Sequence, residues 1–251
     1  MNLLLIGQGK YFKLLTLKIL ELHHDYNVFI ISTDSEVPNS LKSFSNFAVL
    51  SLGFDGSDSS WDKLSGRNFS NLDCLISFQF PFRVPNKVLS HFKERAWNLH
   101  TAPLPEFGGW NGSSHAIIEE FGYFGPTLHA MTEIIDGGPI IKSDYFRLIG
   151  TETSYAISEE SKKRGIYLVI NLLDDFVNRR EINVTEKSLA NRKFYSKNEL
   201  EKSRIVSWKE GPQTISKIAR AFSHPNFPGA ILDLGQGQRV EIKNLPRASD
   251  N

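Results

Sequence analysis

The first twenty residues of the chain hold the feature that most restricts its fold. A short apolar run from Met1 to Ile6 is followed by the turn Gly7-Gln8-Gly9, and apolar residues then recur at helical spacing. A strand, a glycine turn and an amphipathic helix make up the first half of a βαβ unit. Units of this kind build parallel sheets whose two faces are both covered. The opening therefore predicts an α/β fold.

The same alternation of apolar runs and helical patterns continues along the chain. We predict buried strands at Asn27 to Ser32, at Asp73 to Phe78 and at Ala96 to His100. The other predicted elements are helices over 85–93, 113–121 and 154–177 and a strand over 125–133. Together they predict a mostly parallel sheet that is covered on both faces.

The last part of the chain has a different character. From about Asn178 to Lys209 the sequence is polar and basic, with few apolar residues. Two runs on either side of Gly235 to Gly237, AILDL and RVEIKN, predict a β-hairpin. We therefore predict a main domain over residues 1–180 and a linker with a small hairpin region over residues 181–251.

The charge balance and the lone cysteine limit the classes of partner. Lys and Arg number 29 and Asp and Glu 28, which argues against binding nucleic acid mainly through its phosphates and favours a small-molecule substrate. The opening apolar run is too short for a signal peptide or a spanning helix, so we expect a cytoplasmic protein without a membrane partner. Cys74 is the only cysteine and is predicted to be buried, and no spacing of ligands predicts a metal site.

Asn98, His100 and Asp136 form the candidate catalytic set. Asn98 and His100 are two positions apart on a predicted strand, so they share a face at the end of the sheet where ligands bind. Asp136 follows another predicted strand at a turn, from which its carboxylate could reach the same place. An amide or an imidazolium can stabilise the oxyanion of acyl transfer, and a histidine can take a proton from an attacking amine. By spacing alone, however, the pattern is weak evidence, because a single histidine near a strand end is more often a structural residue.

Two segments around these residues resemble a known family. NLHTAPLPEFGG (residues 98–109) and HAIIEEFGYFGPTLHAMTEIIDGGPII (residues 115–141) are similar to the formyltransferase signature. The resemblance implies a Rossmann-like formyltransferase core and 10-formyltetrahydrofolate as the co-substrate. It also implies that Asn98, His100 and Asp136 are the catalytic residues. A non-catalytic relative that only binds folate or a sugar nucleotide remains an alternative.

The segment ISFQFPFRVPNKVL (residues 76–89) resembles the family loop that receives the pterin. The resemblance implies a cofactor pocket with apolar walls, although each phenylalanine could equally be an ordinary core residue. The implied pocket residues are Phe78, Gln79, Phe80, Phe82, Ile134, Ile135 and Asp136.

The C-terminal segment KIARAFSHPNFPGAILDLG resembles that of sugar-nucleotide N-formyltransferases. The resemblance implies an acceptor such as dTDP-4-amino-4,6-dideoxyglucose, a role in surface polysaccharide or O-antigen synthesis, and a homodimer. Glycinamide ribonucleotide and methionyl-tRNA are the alternative amine acceptors. We expect neither the amino-group position nor the nucleotide to be readable from the sequence.

Candidate residues for the nucleotide sugar lie in three parts of the chain. The loop after Leu104 departs from the family pattern because Gly108 stands where an arginine is usual, so contacts of that loop cannot be transferred. The opening glycine turn lacks the third glycine of a dinucleotide fingerprint, which leaves an NADH-dependent reductase as a weak alternative. The predicted substrate-binding residues are Lys10, Tyr11, Arg83, Thr101, Trp110 and Asn111.

Overall fold

A computed structural model describes residues 1–65, 69–185, 192–225 and 227–243 of the chain. The described residues form two compact units, each assembled from three stretches of sequence. Unit 1 lies within Met1–His100, Thr127–Lys142 and Gly165–Lys187, and unit 2 within Thr101–Pro126, Ser143–Arg164 and Ser188–Asn251. The stretches of the two units alternate along the chain, and the predicted domain boundary at residue 180 stays a prediction.

Short strands and helices alternate through both units. The strands are Asn2–Gly7 (β1), Asn27–Ser32 (β2), Phe47–Ser51 (β3), Cys74–Phe78 (β4), Ala96–His100 (β5), Gly108–Gly109 (β6), Tyr123–Phe124 (β7), Thr127–Ala130 (β8), Ile140–Ser143 (β9), Phe146–Arg147 (β10), Phe194–Tyr195 (β11), Ile205–Ser207 (β12), Ala230–Gly235 (β13) and Gln238–Ile242 (β14). The α-helices are Gly9–Leu22 (α1), Asn39–Lys42 (α2), Asp58–Ser65 (α3), Asn86–Phe92 (α4), Gly112–Ile118 (α5), Ser154–Val177 (α6), Lys197–Ser203 (α7) and Gly211–Ala221 (α8).

Unit 1 is built on a sheet with the strand order β3-β2-β1-β4-β5-β8-β9. The strands from β3 to β5 are all parallel, and β8 pairs antiparallel with β5. The chain first adds strands on one side of β1 and then returns with β4 on its other side, so the strand order reverses between β1 and β4. Open α/β sheets bind ligands beyond the carboxyl ends of the strands at such a reversal. The predicted α/β fold with a mainly parallel sheet is confirmed.

Successive residues of β1 supply the cores on both faces of this sheet. Leu3 and Leu5 are buried with apolar residues of α1 and α6, whereas Leu4 and Ile6 are buried with those of α4. Neighbouring side chains on a strand point to opposite faces, so a continuous apolar run gives a strand that is covered on both. Each fully buried leucine or isoleucine stabilises the fold by about 1.5–3 kcal/mol relative to an exposed one.

Unit 2 contains a small sheet with the strand order β12-β13-β14. β12 and β13 are parallel, and β13 and β14 form the antiparallel hairpin that the sequence predicts. The hairpin turns at Gln236 and Gly237, where both φ angles are positive (52° and 79°). A separate core packs around Phe107 and Phe124 and includes Ile157 of α6 and Val206 of β12.

The structure differs from the sequence prediction mainly at short elements. The predicted strand over 125–133 is only Thr127–Ala130, because the turn after it folds back and places Gly138 against the backbone of Ala130. Strand β3 and helix α3 were not predicted, since both are short and β3 is only partly buried. None of the helices in the described residues combines the length and the apolar character needed to cross a membrane.

Candidate active site

Strand β5 carries two of the predicted catalytic residues. Asn98 and His100 are two positions apart on this strand, so their side chains project from the same face of the sheet. In the parallel ladder with β4, Asn98 stands beside Ser77, and His100 is the last residue of β5. The pair therefore lies at the carboxyl end of β5, one strand away from the reversal of strand order.

Strand β8 brings a second imidazole to the same place. His129 is the direct cross-strand partner of Asn98 in the antiparallel ladder, and directly opposed residues of a sheet share a face. The Asn98 Nδ2 atom lies 3.1 Å from His129 Nε2, and only 2% of His129 is exposed. His129 lies on the alternating pattern of a predicted strand, which by itself does not decide between the site and the core. Its alternation on a strand was the available clue, but the partner of that strand had to be known.

Asp136 lies in the turn after β8, as predicted, and approaches both imidazoles. Its Oδ1 atom is 3.6 Å from His100 Nδ1 and 3.6 Å from His129 Nε2. These are ion-pair distances, longer than the usual N–H···O hydrogen bond of about 2.9 Å. The side chains of Asp136, His100 and His129 are 8%, 13% and 3% exposed, so water screens the charge of the Asp136 carboxylate only weakly. The structure thus brings the predicted amide, imidazole and carboxylate together.

The backbone of this turn holds Asp136 in an uncommon conformation. Asp136 has a φ of +53°, which residues other than glycine rarely adopt. The Gly137 N–H donates to the Ile134 carbonyl at 3.1 Å, and the Thr132 hydroxyl donates to the same oxygen at 3.1 Å. A Cβ atom on Gly138 would lie 1.9 Å from the Ala130 oxygen, so this position requires glycine. A strained residue persists where its surroundings fix it in this way, and such residues cluster at active sites.

Two residues near the start of α4 anchor the same turn. The Arg83 guanidinium donates to the Glu133 carbonyl at 3.0 Å, and the Asn86 side-chain amide donates to the Glu133 carboxylate. Arg83 was predicted to bind the diphosphate of a substrate. The structure shows its guanidinium bound to the loop that leads to Asp136, and its role in substrate binding stays a prediction. This contact also joins the segment that carries Phe82 to the segment that carries Ile134.

The predicted folate-pocket residues fall into two groups. Phe78 is part of the apolar run of β4 and is fully buried in the core of unit 1, and its role as a pocket wall stays a prediction. Phe80 and Phe82 lie beyond β4, with ring centroids 5.7 Å apart, and Gln79 between the strand and these rings has a φ of +56°. The Phe80 ring also packs 6.1 Å from that of Trp61, a contact that the sequence did not predict.

The other predicted wall residues are unusually exposed for their type. Ile134 is 47% exposed, Ile135 is 52% exposed and Phe82 is 36% exposed. Large apolar side chains near polar catalytic groups are typical of sites for small molecules. Only the family resemblance predicted these residues as pocket walls, because nothing in their spacing indicates that their side chains are exposed.

The glycine turn before α1 holds an anion supplied by the chain itself. The Asp34 carboxylate accepts from the Gly9 N–H at 2.9 Å and lies 3.1 Å from Lys13 Nζ. A carboxylate therefore occupies the helix start, where a phosphate would otherwise be favoured. Tyr11 is only 4% exposed and its ring packs in the core of unit 1, and a contact with a diphosphate stays a prediction. Lys10 is exposed beside it.

The remaining predicted substrate residues lie in unit 2. Trp110 is 53% exposed, and its backbone N–H donates to the Tyr195 carbonyl at 3.0 Å. Asn111 precedes α5 with a φ of +50°. The Thr101 carbonyl accepts from the Ser161 hydroxyl at 2.8 Å. Their roles in substrate binding stay predictions.

Cys74 has no features of a reactive thiol. It is fully buried on β4, as predicted, and burial is the main cause that raises the pKa of its thiol to about 12. A nucleophilic cysteine needs a lowered pKa and access to solvent. Within the residues that the structure describes, no group of three or more His, Cys, Asp or Glu side chains is placed to hold a metal ion.

Comparisons with known proteins agree with this geometry. Residues 70–173 match the family described as formyl transferase; they include β4, β5, β8 and the Asp136 turn. A 4-N formyltransferase from Francisella tularensis is 18% identical, with a TM-score of 0.74 over 97% of this chain and 96% of its own. A sugar N-formyltransferase from a Shewanella species is 17% identical, with a TM-score of 0.72 over 98% and 99%.

A third solved structure is similar over a smaller share of both chains. It is an N-formyltransferase from Helicobacter canadensis in complex with folinic acid and dTDP-3-aminofucose, 18% identical, with a TM-score of 0.70 over 88% of this chain and 80% of its own. At such identities the likeness to these structures shows the shared fold, whereas the family match covers the segment that carries the catalytic set. Residues 70–173 therefore match the formyl transferase family, which supports a formyl-transferring enzyme, and the chain has a fold like that of the sugar N-formyltransferases.

Proposed function

We propose that this enzyme transfers the formyl group of 10-formyltetrahydrofolate to the amino group of a nucleotide-linked amino-dideoxy sugar. The observation that carries the proposal is the meeting of Asn98, His100 and Asp136 within unit 1, where Asp136 Oδ1 lies 3.6 Å from His100 Nδ1. An amide donor, an imidazole and a carboxylate are the groups that transfer of an acyl group to an amine requires.

In the proposed reaction the amine nitrogen attacks the formyl carbon. A carbon–nitrogen bond forms to the acceptor, the bond from the formyl carbon to the folate nitrogen breaks, and the proton lost by the amine is balanced by the proton gained by that folate nitrogen. Asn98 donates a hydrogen bond to the formyl oxygen as negative charge develops on it. His100 takes the amine proton through Nε2, and Asp136, facing Nδ1, fixes the tautomer and stabilises the charged ring.

The proposed folate pocket lies beside this set. Ile134 and Ile135 precede Asp136 directly and are about half exposed, and the contact of Arg83 with the Glu133 carbonyl brings the Phe82 segment to the same loop. We propose that Phe80, Phe82 and the two isoleucines form apolar walls for the pterin, and that backbone groups near Gln79 supply hydrogen bonds. The folinic acid bound by the Helicobacter canadensis relative supports a folate co-substrate.

A nucleotide sugar is the acceptor that the comparisons favour over glycinamide ribonucleotide or methionyl-tRNA. Sugar N-formyltransferases match nearly the whole chain, and one relative is in complex with dTDP-3-aminofucose. We propose Lys10, Thr101, Trp110 and Asn111 as substrate contacts; an exposed indole such as that of Trp110 can stack on a base or a sugar. The proposal extends to a cytoplasmic homodimer that serves surface polysaccharide synthesis.

The experiment that tests the proposal is formylation of a panel of amines. The enzyme is incubated with 10-formyltetrahydrofolate and dTDP- or GDP-linked 3-amino and 4-amino sugars, glycinamide ribonucleotide or methionyl-tRNA, and mass spectrometry detects the gain of one formyl group. We expect a product from one nucleotide amino sugar. Formylation of glycinamide ribonucleotide or methionyl-tRNA alone would overturn the proposed acceptor.

Variants of the catalytic set test the assigned roles. His100→Ala, Asn98→Ala and Asp136→Ala should each lower turnover by about 10²- to 10⁴-fold, which is the usual contribution of a general base or an oxyanion donor to the rate. His24→Ala serves as the matched control, because His24 is exposed and lies outside the site. Folate binding without any product in the unsubstituted enzyme would instead support a non-catalytic binding protein.

A further inference from the structure

His129 makes two contacts that together fix where its ring proton lies. Its Nδ1 atom is 2.8 Å from the Ala130 carbonyl oxygen, and its Nε2 atom is 3.1 Å from Asn98 Nδ2. A carbonyl oxygen can only accept a hydrogen bond, so Nδ1 must carry a proton. The nitrogen of a side-chain amide can only donate, so Nε2 must be the acceptor. Both contacts are satisfied at once by the neutral ring with its proton on Nδ1.

The nearby carboxylate does not replace the amide as the partner of this ring. Asp136 Oδ1 is 3.6 Å from His129 Nε2, beyond hydrogen-bond length, whereas Asn98 is within it. The His129 side chain is only 3% exposed, so water cannot readily take the place of either partner. An imidazole held at both nitrogens by buried groups has one orientation and one favoured tautomer.

We propose that His129 is the positioning residue that sets which way round the Asn98 side-chain amide stands. By accepting one N–H of Asn98, His129 leaves the second N–H of the same nitrogen to donate to the formyl oxygen. A half-turn of the amide would place the Asn98 carbonyl oxygen against His129 Nε2 and remove this donor arrangement. The inference rests on the proposed function, in which Asn98 stabilises the oxyanion.

This role differs from that of a packing residue in what substitution should do. In His129→Leu the side chain keeps much of its volume but loses the hydrogen-bond acceptor, so the Asn98 amide can rotate by a half-turn. Loss of one oxyanion donor costs about 10²- to 10³-fold in turnover, so a donor that is misdirected part of the time should cost at least about tenfold. In His129→Gln the side-chain carbonyl oxygen can take the place of Nε2 as the acceptor, and most of the activity should return.

The first test therefore compares steady-state kinetics of the two variants in the full chain. We expect His129→Leu to lower kcat at least about tenfold with both KM values within about threefold, and His129→Gln to recover kcat to within about fivefold of the unsubstituted enzyme. His24→Leu, at an exposed histidine on the same unit, is the control for the substitution itself. Equal loss in the Leu and Gln variants, or full activity in the Leu variant, would overturn the proposal.

The second test reads the state of His129 in the unsubstituted enzyme and needs no substrate to react. Nitrogen NMR of enzyme labelled with ¹⁵N-histidine, with the His129 signals assigned by their loss in His129→Gln, reports which ring nitrogen carries a proton. We expect a protonated Nδ1 and an unprotonated Nε2 at the pH of the assay. A proton on Nε2, in either the other tautomer or the imidazolium, would refute the inference. If no amine in the panel is formylated, the proposed function fails, while this measurement still decides the state of His129.

Discussion

Gly138→Ala is the substitution whose effect on turnover can be worked most directly from the structure. The new Cβ would lie 1.9 Å from the Ala130 oxygen, and ordinary van der Waals contact begins at 3.4 Å, so the backbone must move by about 1.5 Å. The same oxygen accepts from His129 Nδ1, and Asp136 lies only two residues before Gly138. A misplacement of about 1 Å can cost about 10²-fold in rate.

We therefore expect kcat/KM for formyl transfer to fall about 10²-fold in Gly138→Ala, equivalent to about 2.7 kcal/mol of transition-state stabilisation. The unfolding free energy should fall by about 1–3 kcal/mol, as for other overpacked positions. Steady-state kinetics and thermal unfolding followed by circular dichroism measure the two effects. Folded protein with the far-ultraviolet spectrum of the original is needed for the kinetic result to count.

Gly122→Ala is the matched control for this experiment. It makes the same chemical change at a glycine whose added Cβ meets no atom within 4 Å among the described residues, without a positive φ. Its kcat/KM should stay within about twofold of the original, the usual outcome of a surface substitution. If Gly138→Ala also kept turnover within twofold, the claim that this turn places Asp136 for catalysis would be refuted.

Three further predictions concern other contacts of unit 1. Arg83→Ala removes the hydrogen bond to the Glu133 carbonyl. Loss of one hydrogen bond costs about 1 kcal/mol, so the KM for the folate donor should rise about fivefold. A rise only in the acceptor KM would instead support direct substrate binding. Asp34→Ala removes the partner of the Gly9 N–H and should lower the unfolding free energy by about 1 kcal/mol without changing kcat, as thermal unfolding and kinetics can check; a large rise in acceptor KM would contradict this. The Cys74 thiol, with its pKa raised to about 12 by burial, should not react with a disulfide reagent until the chain is unfolded, and rapid labelling of the native enzyme would show that the site is open.

The sequence by itself determined the fold class and predicted the three polar residues of the candidate site. Continuous apolar runs such as that of β1 can form only strands that are covered on both faces, because adjacent side chains point in opposite directions. The spacing of Asn98 and His100 on β5 fixes their shared face for the same reason. These properties depend on residues that are close in the chain, so a local pattern is enough to predict them.

Only the tertiary structure decided which residues surround that centre. His129 joins the site because β8 pairs with β5 in a register that sets it opposite Asn98, and register depends on segments far apart in sequence. Burial separated Phe78, which packs in the core, from Phe82, although both have the same side chain. Arg83 contacts the Asp136 loop through a hydrogen bond to Glu133, which is 50 positions away in the chain. Contacts over such distances are set by the packing of whole elements, which no local pattern records.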